Sequence, residues 1–140
     1  MKKTRAILLS VILSFSVLIA GLLPSQTVEA ASNPCGYSYY QVNNSSSSYG
    51  NLIVYKSGNY LCGVQHTSFL TRNIGGSQWT TIRSLDKYGN VRRDEGKYAY
   101  YAGPVYVYAP YGQCVSFSGS VMIPSRYVQW HGVYQCNVNY

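Results

Sequence analysis

The fold is decided by residues 114–136, CVSFSGSVMIPSRYVQWHGVYQC, which have the pattern of two strands joined by a reversal. Apolar side chains alternate with small or polar ones along Val115 to Val121 and again along Tyr127 to Tyr134, which is the two-residue period of a half-buried strand. Pro124-Ser125-Arg126 stands between these segments and is typical of a turn. The pattern therefore predicts an antiparallel hairpin at the end of the chain.

The register of this hairpin predicts the cysteine pairing. A reversal centred on Ser125 places Cys114 opposite Cys136, and cross-strand neighbours have Cβ atoms roughly 4.5–5.5 Å apart, which is close to disulfide reach. Cys35 then pairs with Cys62. Four cysteines allow three connectivities, and we predict this one. Each bridge is expected to stabilise the fold by roughly 2–4 kcal/mol.

Short alternating segments of the same kind run through the chain upstream of the hairpin. Residues after position 30 are rich in Tyr and poor in helix formers, a composition that favours strands. We predict an all-β fold, a small antiparallel β-sandwich or barrel of about seven or eight strands stapled by two disulfides. The upstream strand segments are Tyr37 to Val42, Leu52 to Tyr55, Tyr60 to His66, Gln78 to Leu85 and Val105 to Tyr108.

Turn signals separate these segments. Asn43 to Ser48 is predicted to be a polar loop, and Lys56 to Asn59 a tight hairpin turn. Gly75-Gly76 predicts a break, and Tyr88-Gly89-Asn90 a further reversal. No internal repeat or interdomain linker is apparent, so we expect one domain.

The N-terminus has the three parts of an export signal. Lys2, Lys3 and Arg5 give a positive start, Ala6 to Leu23 an apolar run, and Val28-Glu29-Ala30 a small-x-small cleavage site. A transmembrane anchor is the alternative, but serines interrupt the apolar run and a processing site ends it. We therefore predict a cleaved signal peptide over residues 1–30 and a single secreted β domain over residues 31–140. All four cysteines lie in that domain, as expected of a protein in an oxidising compartment.

The predicted mature domain is basic. Without Lys2, Lys3, Arg5 and Glu29, the chain keeps eight of its 11 Lys/Arg and three of its four Asp/Glu, a net charge of +5. Such a charge favours encounters with wall polymers, lipid head groups or nucleic acid and does not choose between them. Five basic residues lie close together in the sequence and predict either a solvated loop of mixed charge, which we favour, or a binding patch. They are Arg83, Lys87, Arg92, Arg93 and Lys97.

Few residues are available for catalysis or metal binding. There is no C-x-x-C pair, and His66 and His131 are too far apart in sequence to form a recognisable ligand pair. The mature carboxylates are Asp86, Asp94 and Glu95; the last two are adjacent, so on a strand they would point to opposite faces. We expect no enzymatic activity, no cofactor and no metal site.

Residues 98–121, YAYYAGPVYVYAPYGQCVSFSGSV, resemble the spore-associated protein A family, small exported proteins of filamentous actinobacteria. YAGPVYVYAP is the specific part of the resemblance, and the order of Cys35-Gly36, Cys62, Cys114 and Cys136 is similar across nearly the whole mature chain. The resemblance implies a disulfide-bonded protein associated with the cell or spore surface and no known enzymatic activity. The same alternation also fits aromatic side chains that merely pack on one face of a sheet.

Two classes of function are compatible with these features. In the leading hypothesis, a surface-associated protein binds wall or coat material, a carbohydrate-binding module being one version. The alternative is a secreted effector, an antimicrobial protein or hydrolase inhibitor, that presents the basic loop; nucleic-acid binding is a weaker third possibility. The aromatic candidates for binding are Tyr106, Tyr108, Tyr111, Trp79 and Trp130, which join the five basic residues above.

Overall fold

Eight strands and one short helix form the part of the chain that the structure, a computed structural model, describes: residues 33–72, 79–123 and 129–139. The predicted all-β class is confirmed. The elements are β1 (Tyr40–Ser46), β2 (Gly50–Ser57), β3 (Tyr60–Thr67), α1 (Phe69–Arg72), β4 (Trp79–Leu85), β5 (Val91–Gly96), β6 (Tyr101–Tyr108), β7 (Cys114–Met122) and β8 (Gln129–Cys136).

The strands form two antiparallel sheets of four strands that pack as a sandwich. The first, which we call the meander sheet, has the order β1-β2-β3-β6. The second, the hairpin sheet, has the order β5-β4-β7-β8 and consists of the hairpins β4–β5 and β7–β8 side by side. None of the helices in these described ranges is long and apolar enough to cross a membrane.

Apolar side chains from the inner faces of both sheets fill the core. Phe117 is the largest fully buried side chain and packs in one cluster with Leu52 and Leu61 of the meander sheet and Ile82 of its own sheet. Gly63 lies directly against this ring, because a Cβ atom there would come within 2.5 Å of Phe117 Cδ1. The alternation predicted for β7 is therefore the alternation between core and outer face.

Both predicted disulfides are present, Cys35–Cys62 and Cys114–Cys136, and the described residues contain no free cysteine. Cys114 is the register partner of Cys136 in the β7–β8 pair, as predicted. The predicted turn at Pro124 to Arg126 lies outside the described residues, as do the export signal and the Gly75-Gly76 break.

The Cys35–Cys62 bridge holds the segment Asn33–Tyr39, which we call the N-terminal clamp, on the outer face of the meander sheet. Cys35 is buried with Cys62 and Val64. The Tyr106 hydroxyl donates a hydrogen bond to the Cys35 carbonyl at 3.1 Å, and the Tyr106 ring meets that of Tyr39 edge-on with centroids 5.7 Å apart. The clamp thus covers apolar surface that would otherwise face solvent.

The prediction of a charged loop between Arg83 and Lys97 was wrong. Arg92 and Arg93 lie in β5, and only the short turn between β4 and β5 is loop. Arg83 lies in β4, within the segment Gln78 to Leu85 that was predicted to be a strand. The sequence of β5 lacks apolar alternation because the strand lies at a sheet edge, where charged side chains are common and discourage pairing with other chains.

Two smaller boundary predictions were also wrong. Asn43 to Ser46, predicted to be loop, continue β1 as a polar edge strand with a register irregularity after Gln41. The strand predicted as Val105 to Tyr108 begins earlier, because β6 includes Gly103-Pro104, and the β3–β6 register shifts beside these residues. The Gly58-Asn59 and Gly89-Asn90 turns lie where they were predicted.

Polar side chains join the two sheets where β1 lies beside β8. The Asn43 amide donates to Gln135 Oε1 at 2.9 Å, and Ser47 Oγ lies 3.0 Å from Nε2 of the buried His131. Burial lowers the pKa of His131, because the charged ring would lose its hydration. Protonation of His131 is therefore less favourable in the folded domain than in an exposed histidine.

Candidate functional site

The outer face of the hairpin sheet forms a regular grid of side chains. Residues 79, 81, 83 and 85 of β4 face outward, because residues 80, 82 and 84 are buried between the sheets. One row across the strands consists of Glu95, Thr81, Ser120 and Trp130, and the next of Arg93, Arg83, Ser118 and Gly132. The strand order thus brings side chains from four separate parts of the sequence onto one surface.

This face contains an open groove of about 620 Å³, which we call the outer groove. Its floor is made of two short hydroxyl side chains that are largely buried, Thr81 of β4 and its register partner Ser120 of β7. Longer side chains on β4, β5 and β8 form its walls. The lining residues are Trp79, Thr81, Arg83, Val91, Arg93, Glu95, Ser120, Met122 and Trp130.

Both tryptophans of the protein line the outer groove. Trp79 is 39% exposed and Trp130 60% exposed, so each keeps an accessible ring surface. Tyr134 lies on the same face of β8, two positions beyond Gly132, and is 70% exposed. Gly132 has no side chain, which leaves the floor open between Trp130 and Tyr134.

The charged residues of the groove form a cross-strand pair of like charge. Arg83 of β4 and Arg93 of β5 are direct register partners, an arrangement that is destabilising in the absence of a counter-charge. Glu95, two positions from Arg93 on the same face, accepts a hydrogen bond from it and forms an ion pair with it. Arg83 makes no ion pair with any residue in the described ranges. The groove therefore has a net positive charge located at Arg83.

The other predicted binding residues lie elsewhere. Tyr108 and Arg92 line a second depression, of about 630 Å³, together with Asp86 and Tyr88 of the β4–β5 turn. Tyr106 is occupied by its contacts with the N-terminal clamp. The three remaining candidates are exposed outside the outer groove: Tyr111 follows β6, Lys87 has its Nζ 4.8 Å from the centre of the Tyr88 ring, and Lys97 follows β5.

All three carboxylates of the described residues are engaged by neighbouring groups. Asp86 accepts bonds from the backbone N–H groups of Tyr88 and Asn90, and the Asn90 side-chain amide is the main cause of its lowered pKa. Asp94 accepts bonds from the Tyr98 hydroxyl at 2.7 Å and from the Gly103 N–H at 2.6 Å, which connects β5 to β6. With Glu95 paired to Arg93, each carboxylate has a structural partner.

Metal ligands are not clustered in the described ranges. No group of three or more His, Cys, Asp or Glu side chains is arranged to hold a metal ion there. His66 and His131 lie on different sheets, in β3 and β8.

Several residues of the outer groove were not predicted. Val91, Thr81, Glu95, Ser120 and Met122 line it beside the four predicted residues Trp79, Trp130, Arg83 and Arg93. The alternating serines of β7 were a signal in the sequence, because small side chains spaced two apart leave a strand's outer face open. The strand order was needed to place Ser120 between Thr81 and Trp130.

Comparisons of the chain with protein-family models, with curated proteins and with solved structures gave no match.

Proposed function

We propose that this protein is an exported, non-enzymatic surface protein that binds cell-wall or spore-coat material through the outer groove. The observation that carries the proposal is the convergence of both tryptophans and an arginine pair over a floor of hydroxyl groups. Aromatic rings stack on the apolar faces of sugar rings and on protein side chains, while hydroxyl and guanidinium groups supply hydrogen bonds.

The groove suits a long ligand. From the row of Trp79 to the row of Tyr134 there are three steps of two residues, about 20 Å along the strands. Its residues lie on strands, which hold side chains more firmly than loops do, so little conformational freedom is lost on binding. A groove of this length accommodates a segment within a polymer.

The composition of the chain supports the same proposal. Two disulfides indicate an extracellular or otherwise oxidising environment. A net charge of +5 after signal cleavage favours approach to anionic wall polymers. The resemblance to spore-associated proteins makes the spore surface one candidate location and the vegetative wall another.

Sedimentation with isolated cell walls and spores tests the proposal. The oxidised mature protein is expected to pellet with at least one of these materials and to leave the material chemically unchanged. Trp130→Ala should reduce the pelleted fraction, whereas Tyr111→Ala, which removes an exposed aromatic ring outside the groove, should not. Circular dichroism must show both variants folded.

The effector hypothesis is the competing outcome of this experiment. Protein that stays in the supernatant with walls and spores, yet kills a neighbouring organism or inhibits a hydrolase at low concentration, would replace the proposed function with that one. Equal loss of sedimentation in Trp130→Ala and Tyr111→Ala would show that the outer groove is not the binding surface.

A further inference from the structure

We infer that the outer groove recognises an acidic glycan, a polymer that contains sugar rings together with carboxylate or phosphate groups. The inference rests on the proposed function and names the class of ligand. It is carried by the opposed arginines Arg83 and Arg93, and by the position of Trp130 relative to them.

The arginine pair is explained by an anionic ligand. Like charges directly opposite each other on a sheet are destabilising, and Glu95 neutralises only one of the two guanidinium groups. Protection of a sheet edge explains Arg93 on β5 but not Arg83, because β4 lies inside the sheet. An acid group between the two guanidinium groups would relieve their repulsion and accept charge-assisted hydrogen bonds from both.

A sugar ring is the second group that the groove can hold. Trp130 lies one row and two strands away from Arg83, and with rows about 6.8 Å and strands about 4.8 Å apart their backbones are separated by about 12 Å. A ligand that contacts both residues is therefore extended, with an acid group at one point and a stacking surface at another. Ser118, the half-buried register partner of Arg83 on β7, offers a hydrogen-bond partner to a sugar hydroxyl group.

Glycan is favoured over single-stranded nucleic acid, which also combines negative charge with stacking. A nucleic-acid site follows the phosphate backbone with a continuous line of positive charge. Here Glu95 places a carboxylate within the groove, and Lys87 and Arg92 lie outside it. A chain with a lower charge density matches this distribution better.

Intrinsic fluorescence provides a direct assay, because both tryptophans of the protein are in the groove. The oxidised mature protein is titrated with hexagalacturonate and with a glucosylated poly(glycerol phosphate), which separate a carboxylate source of the acid group from a phosphate source. Fully methyl-esterified hexagalacturonate keeps the rings without the charge, and an oligothymidylate of matched charge keeps the charge without the glycan. We expect saturable binding of at least one acidic glycan, about tenfold or more tighter than either control.

Two variants of equal charge locate the contact. Arg83→Gln should weaken binding of the acidic glycan about tenfold or more. Arg92→Gln removes the same charge from β5, on the side of that strand away from the groove. It should weaken binding of the acidic glycan less than about twofold at physiological salt, where exposed charges are screened over about 8 Å. Both variants must match the parent protein in circular dichroism and in urea midpoint.

Three results would overturn the inference: no binding of either acidic glycan, equal binding of the methyl-esterified oligosaccharide or the oligothymidylate, or equal weakening by the two variants. Its failure is distinguishable from failure of the proposed function. If the protein sediments with walls but binds neither glycan, the proposed function stands and the inferred ligand class is refuted. If the protein binds an acidic glycan through Arg83 but sediments with neither walls nor spores, the inferred ligand class stands and the proposed location is refuted.

Discussion

Replacing Gly63 with Ala tests the packing between the two sheets. An added Cβ atom would lie 2.5 Å from Phe117 Cδ1, 2.8 Å from Cε1 of the same ring and 3.4 Å from Ile82 Cδ1. Carbon atoms that are not bonded prefer separations of about 3.5–4.0 Å, so the ring must move by about 1 Å. Phe117 is fully buried, and the surrounding core leaves it little space for that movement.

The expected loss of stability follows from this overlap. Overpacking of a close-packed core typically costs about 1–3 kcal/mol, and the closeness of the ring places Gly63→Ala toward the upper end of that range. For a domain of this size each kcal/mol lowers Tm by roughly 4–8 °C. The loss is a substantial share of the roughly 5–15 kcal/mol that stabilises a typical domain.

Urea unfolding of the oxidised protein, followed by tryptophan fluorescence, measures this loss. Gly132→Ala is the matched control, because no atom lies within 4 Å of a Cβ at that position and Gly132 faces outward on β8. Its stability should change by less than about 0.5 kcal/mol. Phe117→Leu should partly relieve the overlap, so the double variant Gly63→Ala with Phe117→Leu should lose less stability than the sum of the two single losses. Additive losses, or a Gly63→Ala protein as stable as the parent, would refute the packing argument.

Three further perturbations test other features of the fold. Replacing Cys114 and Cys136 together by Ala, which opens a 22-residue loop, should lower the free energy of unfolding by about 3 kcal/mol in urea titrations. Burial lowers the pKa of His131, so as the pH falls this ring is protonated in the unfolded chain before it is protonated in the folded domain. Stability should therefore decline as the pH drops below about 6.5, and a His131→Gln variant should show a smaller decline. The hydrogen bond to Asp94 raises the pKa of Tyr98. The stability that this hydrogen bond contributes should therefore be present below a pH of about 10 and lost as the pH rises through the folded pKa. Thermal melts of Tyr98→Phe should accordingly be less sensitive to alkali than those of the parent protein.

The hairpin formed by β7 and β8 was predictable because its information is local. Alternation gave the strands, and the midpoint of the predicted reversal gave the Cys114–Cys136 register. Strand β5 escaped prediction for a physical reason. Strand β5 lies at the sheet edge with one side facing solvent, and its carboxylate Asp94 accepts a hydrogen bond from β6. It therefore carries charged residues where a central strand would carry valine or isoleucine.

The outer groove could be predicted only in part. The sequence singled out the aromatic and basic residue types, and four of the ten candidates for binding line the groove. It gave no indication that Trp79 and Trp130 lie on one face, because that depends on the pairing of β4 with β7, which brings together strands distant in sequence. Tyr106 has the composition of a binding residue, but its hydroxyl and ring are used by the N-terminal clamp.

The N-terminal clamp determines which side of the molecule can be attached to a support. It fixes the start of the described chain at Asn33 on the outer face of the meander sheet, while the outer groove lies on the outer face of the opposite sheet. A biotin or fluorophore joined through a short linker to the predicted mature N-terminus, two residues before Asn33, would thus leave the groove facing solution. Oriented immobilisation on a sensor chip, or single-molecule labelling, can then proceed without a tag beside Trp79 or Trp130.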